Sequence, residues 1–370
     1  MTRKAAPLGL GIVGLGTAGV AMLGSALAHG RVRPVAVADP VLRELLVDQL
    51  PGVTPYESLE ALLEDPDVEA VHLATPTHLH AAHVRLAIES GRHVIVEKPV
   101  TAHCREVSPL SELAKKGGVA VVVGHSESFE PYVAASRSVV EQGRLGEPMT
   151  IAAEKVTDWL RRPRRPDELD PTLGGGIVRR QGVHQVDVVR SLVRGRAFEL
   201  RHARLRRMGG DRSGVTSGYL AWLDAGRLAT VLVQDGSGAL LARDPLAPGS
   251  TGEGGGAPTA GEPADEKRRR AAALLAQVVT HRGVPALGVH DVTRVCVLGT
   301  EGRLVGSSAG VVLERGGSTE EIALEGYPEG RAAVLDELLG VLDGGAGLHD
   351  LVWGEENLRL CELIEAACAP

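Results

Sequence analysis

The sequence predicts a two-part α/β protein: a doubly wound parallel sheet over residues 1–125, then an α+β unit over residues 126–370 that includes an antiparallel sheet. Three observations carry this. Continuously apolar runs alternate with amphipathic stretches through the first 125 residues, as buried parallel strands and their crossover helices require. A glycine-rich turn joins the first apolar run to the first amphipathic stretch. Beyond Gly124 the pattern changes to alternating apolar and polar residues broken by turn signals.

The strands of the first part are LGLGIVGLG, RPVAVADP, EAVHLATP, HVIVEKP and VAVVVGH. Between them the helical periodicity predicts Ala18–His29, Val41–Leu50, Ser58–Glu64, His78–Ser90 and Glu106–Lys116, with Gly91 and Gly117 as helix-ending glycines. In the second part a helix near Tyr132–Gln142 precedes the strand MTIAAEKVTDW, an Arg/Pro loop and the stretch GGGIVRRQGVHQVD. FELRHARLRRM, SGYLAWLDAG and RLATVLVQDG alternate as antiparallel strands do. Residues 247–264 are rich in Gly, Pro, Ala and Ser and predict a disordered insertion. KRRRAAALLAQ, just after it, reads as a short helix with a solvated basic face. A helix pair, about Ala332–Leu342 and Gly354–Ala367, completes the reading, and no internal repeat is present.

Composition narrows the function. The chain has 370 residues, 44% of them hydrophobic, which allows two cores. Aromatics make up 2% and the net charge is −7, so a stacking platform or a polyanion-binding surface is not expected. The four cysteines form no CxxC pair, which fits thiols in a reducing cytoplasm. The first residues lack the layout of a secretory signal, and no apolar run reaches the ~20 residues of a membrane span, so neither export nor membrane insertion is expected.

The chemistry begins at Gly14-Leu-Gly16-Thr17-Ala18-Gly19, which follows a strand and opens a helix. Such glycines permit a tight turn and bring backbone amides up to a pyrophosphate at the helix N-terminus. Asp39 ends the next strand, where a carboxylate accepts hydrogen bonds from the adenosine ribose and repels a 2′-phosphate. NAD is therefore the expected cofactor, with NADP as the alternative because Arg43 lies nearby. The plainer reading of Asp39-Pro40 is a strand-ending turn. Ala74-Thr75-Pro76 and Glu97-Lys98-Pro99 end the following two strands, on the side of an open α/β sheet where ligands bind. His78, His80 and His83 have no cluster of carboxylates around them, so no metal is expected. His184 and Asp187 share a helix face, Asp187 serving either structure or catalysis.

Together the glycine motif, ATPTHLHAAH, VIVEKP, the GH at 124–125 and GGGIVRRQGVHQVD resemble the Gfo/Idh/MocA family of NAD(P)-dependent oxidoreductases. The resemblance covers nearly the whole chain. It implies an N-terminal Rossmann domain and a C-terminal domain with an open, mainly antiparallel sheet, often used to form homodimers or homotetramers. It implies that the Lys98–Pro99 bond is often cis and that Lys98 touches the reacting oxygen. His184 matches the histidine that serves in proton transfer. His80, Glu97 and His125 join Ala74, Thr75, Pro76 and Lys98 around the cofactor.

One position departs from the family pattern. Where many members carry an aspartate four residues before the histidine, this chain has Arg180. Arginine cannot orient an imidazole as a carboxylate does. The runs TDWLRRPRRPDELDPTLGGGIVRRQGVHQVDVVRSL and LDELLGVLDGGAGLHDLVWGEENLRLCELIEAA resemble the branch of phthalate cis-dihydrodiol (4,5-dihydroxyphthalate) dehydrogenases. That implies a ring substrate bearing vicinal hydroxyls and carboxylates, held by Trp159, Arg161, Arg164, Arg180, Gln181 and His184. Planar guanidinium groups suit carboxylates, while RRPRR also reads as a solvated basic loop. The alternatives are a sugar or cyclitol dehydrogenase, a biosynthetic ketone or imine reductase, and a dinucleotide-binding sensor or scaffold without catalysis.

Overall fold

The computed structural model describes residues 6–40, 50–157, 164–207, 216–235 and 292–367. The predicted helix Val41–Leu50 falls almost wholly outside them, and so do Trp159, Arg161, the 247–264 insertion and KRRRAAALLAQ.

Six consecutive buried residues, LGLGIV, form β1 (Leu8–Val13). It centres a wholly parallel sheet with β2 (Val32–Ala38), β3 (Thr54–Tyr56), β4 (Ala70–Leu73), β5 (His93–Glu97) and β6 (Val121–Gly124), in the order β3-β2-β1-β4-β5-β6. The strand order reverses between β1 and β4, which opens a crevice at their C-terminal ends. Helices α1 (Thr17–Ala28), α2 (Leu59–Leu63), α3 (Thr77–Glu89) and α4 (Val107–Gly117) make the crossovers. Two details differ from the sequence reading. The edge strand β3 was not expected, because it is only three residues long, partly exposed and contains Pro55. Gly118, at φ +64°, takes the left-handed position after α4, one residue beyond the expected Gly117.

Among the described residues the second sheet has eight strands: β7 (Pro148–Val156), β8 (Glu199–Arg207), β9 (Thr216–Ala225), β10 (Leu228–Asp235), β11 (Val292–Gly299), β12 (Gly302–Ser307), β13 (Gly310–Arg315) and β14 (Ser318–Ile322). Their order is β14-β13-β12-β11-β7-β10-β9-β8, antiparallel except for the parallel pair β7 and β10. The strands β11–β14 were not expected. Arg294, Arg303 and the run Thr319-Glu320-Glu321 place charges among their apolar residues and weaken the alternation signal.

One face of this sheet is buried beneath α5 (Pro131–Glu141) and α7 (Val183–Leu192), with Ile151, Ala153, Ala221, Leu223, Val295 and Val297 in a common core. The other face carries the exposed Leu220, Trp222 and Leu298. The last two helices, α8 (Gly330–Leu342) and α9 (Leu351–Ala366), turn back toward the parallel sheet. Val334, Leu335, Leu338 and Leu339 of α8 share a core with Leu10, Ile12 and Leu15, and Leu351 and Leu358 of α9 join the core on the sheet's opposite face. Among the described residues no helix is long and apolar enough to cross a membrane.

Candidate active site

The three glycines of the first loop have distinct tasks. Gly14 adopts φ +86°, and a Cβ there would lie 2.7 Å from the Ala74 carbonyl. A Cβ on Gly19 would lie 1.8 Å from the Gly14 carbonyl, so this glycine lets α1 sit hard against the loop. A Cβ on Gly16 would meet nothing within 4 Å. Gly16 caps α1 with no side-chain hydrogen bond, and the exposed Gly16-Thr17 with the half-buried Ala18 leave backbone amides at the helix N-terminus. This open cradle fits a dinucleotide pyrophosphate. Asp39 stands beside it, buried, with Oδ2 accepting a 2.9 Å hydrogen bond from the Leu15 amide. The carboxylate thus braces the glycine loop at the expected ribose position.

Ala74, Thr75 and Pro76 line the crevice between β4 and α3, each half-buried. Pro76 caps α3, and His80 is enclosed one turn later, with Nδ1 2.8 Å from the Pro99 carbonyl and Nε2 2.9 Å from the Thr75 carbonyl. His83 Nδ1 lies 3.0 Å from the Thr75 hydroxyl. With both His80 nitrogens engaged by backbone, the three histidines of this helix do not converge as metal ligands. Burial pushes His80 down to about 4, against the two carbonyls that favour its cation.

Glu97 ends β5, enclosed with His72 3.5 Å away. Burial opposes its charge, but His72, Arg331 and Lys98 outweigh that and hold it at about 2. Lys98 follows, joined to Pro99 by a cis bond, and its Nζ donates a 2.7 Å hydrogen bond to the Arg180 carbonyl. Burial is the largest influence on Lys98; Glu97 favours its cation, Arg180 and Lys155 oppose it, and the ammonium comes down to about 7. A lysine poised there can donate or accept a proton near neutrality.

The stretch GGGIVRRQGVHQVD supplies the opposite wall. Gly174 has φ +76°, and its close approach to Thr77 seats the turn on the start of α3. Val178–Gly182, which includes the half-buried Gln181, forms one wide π-type turn, and α7 follows without a break. Such turns recur at functional sites because they re-aim side chains. His184, in the first turn of α7, places Nδ1 3.4 Å from Glu127 Oε2. Glu127 lies in a short 3₁₀ turn after β6 (Ser126–Phe129), and Lys155 of β7 donates to the same oxygen. Burial first, then Lys98, Lys155, His125 and Arg331, keeps His184 neutral well below its ordinary range. A carboxylate from another segment thus stands beside His184. Neither Glu127 nor Lys155 was expected: one sits in a non-repetitive loop, the other reads as an ordinary strand residue.

Behind His184 lies a closed polar network. Asp187 accepts from Ser128 Oγ, from Trp353 Nε1 at 2.6 Å and from Asn357 Nδ2 at 2.9 Å. Asn357 also donates to His125 Nε2 at 3.1 Å, so the enclosed His125 carries its proton on Nδ1. His349 stands between Glu337, 2.9 Å from its Nδ1, and Asp187, 3.4 Å from its Nε2. Burial disfavours the His349 cation, but the two carboxylates lift it to about 9. Burial pushes His125 the other way, to about 4. Asp187 is thus a structural hub, the first of its two expected roles.

The arginines divide. Arg179 points away from the crevice, donating to Glu365 at 2.7 Å and to the Ala102 carbonyl at 2.6 Å, and so fastens the turn to α9. Arg180 points inward, with NH1 3.2 Å from the Thr77 hydroxyl and NH2 3.2 Å from Glu168 Oε1. Arg164 approaches the same Glu168 oxygen at 3.6 Å. Two guanidinium groups thus meet at the Glu168 carboxylate, with Asp167 also close to Arg180. Arg165 is tied to Asp167 by bonds of 3.0 and 3.1 Å in the short helix α6 (Pro166–Leu169) and its cap.

Sequence comparison matches residues 8–125 to a family described as an oxidoreductase family with an NAD-binding Rossmann fold, GFO_IDH_MocA, and residues 133–239 to a GFO/IDH/MocA C-terminal domain. A 1-carboxy-3-chloro-3,4-dihydroxycyclohexa-1,5-diene dehydrogenase of Comamonas testosteroni is 38% identical over 194 residues, covering 52% of this chain and 49% of that protein. The chain thus spans about half the length of this curated relative. A solved structure from Bordetella bronchiseptica RB50 superposes with a TM-score of 0.80 at 27% identity, covering 98% of this chain and 97% of the other. The 3-ketoreductase KijD10 of Actinomadura kijaniata, solved with NADP and TDP-benzene, has a TM-score of 0.72 at 19% identity, covers 98% of each chain and shares the fold.

Proposed function

Because this chain belongs to the Gfo/Idh/MocA oxidoreductase family, we propose that it is an NAD(P)-dependent dehydrogenase acting on a ring carbinol or carbonyl carbon of a small, carboxylated cyclic substrate. Gly14, Gly16, Thr17, Ala18, Gly19 and Asp39 would hold the dinucleotide, with Ala74, Thr75, Pro76, His80 and His125 nearby. When bound, its nicotinamide supplies the two-electron redox chemistry. Lys98 holds and polarises the substrate oxygen, and His184 exchanges the hydroxyl proton. The observation that carries the anionic substrate is the junction of Lys98 and Arg180, joined at 2.7 Å through the Arg180 carbonyl. It ties the residue carrying the guanidinium to the lysine on which the reaction turns, and that guanidinium is near enough to oppose the Lys98 cation. The relative that acts on a carboxylated dihydrodiol supports the same reading.

Glu168, which partly neutralises Arg180, favours a second reading, a dehydrogenase of neutral cyclitols or sugars. One experiment separates the two: an absorbance screen with NAD and NADP over carboxylated dihydrodiols, hydroxy acids, cyclitols and sugars, run on the native protein and Arg180→Gln. We expect turnover of a carboxylated ring, with KM raised roughly tenfold to a hundredfold by loss of a charge-assisted bond. Turnover of neutral polyols that is indifferent to the substitution would favour the second reading. Asp39 supports NAD over NADP.

The outer face of the eight-stranded sheet supports self-association. Trp222, Val231, Ala152, Cys296 and Val305 stand opposite one another in a row across five strands. A homodimer, or a homotetramer made of two, would cover this row. Cys104, Cys296 and Cys361 carry free thiols, which supports a cytoplasmic setting.

A further inference from the structure

The proton that leaves the substrate hydroxyl needs a nitrogen with a fixed lone pair, and an imidazole offers one only if its tautomer is held. We propose that Glu127 is the positioning carboxylate of His184: it accepts a hydrogen bond from Nδ1–H, holds the ring in that tautomer, and leaves Nε2 to exchange the substrate proton. The inference rests on the assignment of His184 to proton transfer made above, and deepens it.

Four observations lead here. Glu127 Oε2 is 3.4 Å from His184 Nδ1. Both His184 Nδ1 and the second Glu127 oxygen, Oε1, are enclosed and lack a hydrogen-bond partner among the described residues. Enclosed polar atoms are normally hydrogen-bonded, and catalytic hydrogen bonds are often loose until substrate binds and then tighten. Burial first, then the positive groups Lys98, Lys155 and Arg331, holds His184 neutral, so the contact with Glu127 is no ion pair, and a carboxylate facing Nδ1 favours the tautomer with its proton there. Lys155, itself enclosed, is the counter-charge that lets a carboxylate stand in this position. In the oxidative direction the substrate O–H bond breaks, its proton passes to Nε2 and its electron pair stays on the oxygen. The resulting imidazolium is stabilised by Glu127 and returns its proton to solvent. Arg180 is thereby released from the role that a carboxylate at its position would have had.

The test needs no substrate. Nitrogen-15 NMR of the full chain labelled at histidine, with NAD added, distinguishes the two tautomers, and His184→Gln identifies the resonance. Native protein should show His184 as Nδ1–H. Glu127→Leu, and Glu127→Leu with Lys155→Met, which removes the counter-charge as well, should move the tautomer ratio toward Nε2–H by about tenfold or more. An Nε2–H ring in the native protein, or an unchanged ratio in a folded variant, would overturn the inference. Failure to find NAD-linked turnover on any ring substrate would sink the functional reading and leave the tautomer result standing, so the two fail separately.

Discussion

Lys98 is the residue whose protonation changes where the protein works. His184 is held neutral far below that range, while Lys98 is brought down to about 7. With His184 already neutral to take the proton, the ammonium of Lys98 polarises the substrate oxygen and its loss removes that help. We expect kcat/KM for oxidation to fall as pH rises through about 7, and Lys98→Ala to lose that limb with roughly a hundredfold or more of turnover. NAD affinity, measured by fluorescence titration, should hardly change; retained turnover would remove Lys98 from the mechanism. Lys98 and His184 were legible in the sequence because each ends or begins a recognisable element. Glu127, Lys155 and Glu168 were not. Glu127 and Lys155 owe their places to contacts between segments far apart in the chain, which no local pattern encodes, while Glu168 read as one more charge in a loop of mixed charges. Arg180 was legible as an anomaly, while its link to Lys98 through a backbone carbonyl was not.

Among the elements, the loop between β1 and α1 was the most readable, since its spacing of glycines states a backbone geometry directly. Its roles can be separated experimentally. Gly16→Ala should leave thermal stability within roughly 0.5 kcal/mol, because the added methyl meets nothing, yet weaken NAD binding by about tenfold. Gly19→Ala should lose both, with a stability cost of about 1–3 kcal/mol from overpacking against the Gly14 carbonyl. Thermal melts with and without NAD check both; equal effects from the two substitutions would contradict the assignment. β3 and β11–β14 were less readable because edge position, charges and short length dilute a two-residue period. The wide turn before His184 was hidden too, since its sequence is compatible with an ordinary helix.

For the molecule as a whole, the Asp187 network ties β6, α7, α8 and α9 together, and its charges set a pH window for stability. His349 has a folded value near 9 against an ordinary 6.5, so its contribution is complete below 6.5 and is lost as pH rises through 9. His80 and His125, lowered to about 4, contribute fully above 6.5 and lose it as pH falls through 4. Denaturant unfolding should therefore be hardest near pH 6.5. It should weaken by on the order of 3 kcal/mol by pH 9, an alkaline limb that His349→Gln should flatten. A native protein with no alkaline decline would show that His349 is neutral when folded. The return of α8 and α9 onto the parallel sheet has a consequence for synthesis. The Rossmann strands leave the ribosome first, but Leu335, Leu338 and Leu358, which cover them, are made some two hundred residues later. During that interval the crossover helices α1–α4 cover the first sheet, but the patches that α8 and α9 complete stay open on both of its faces. The first domain's cores are therefore finished only by the two helices that close the chain's fold.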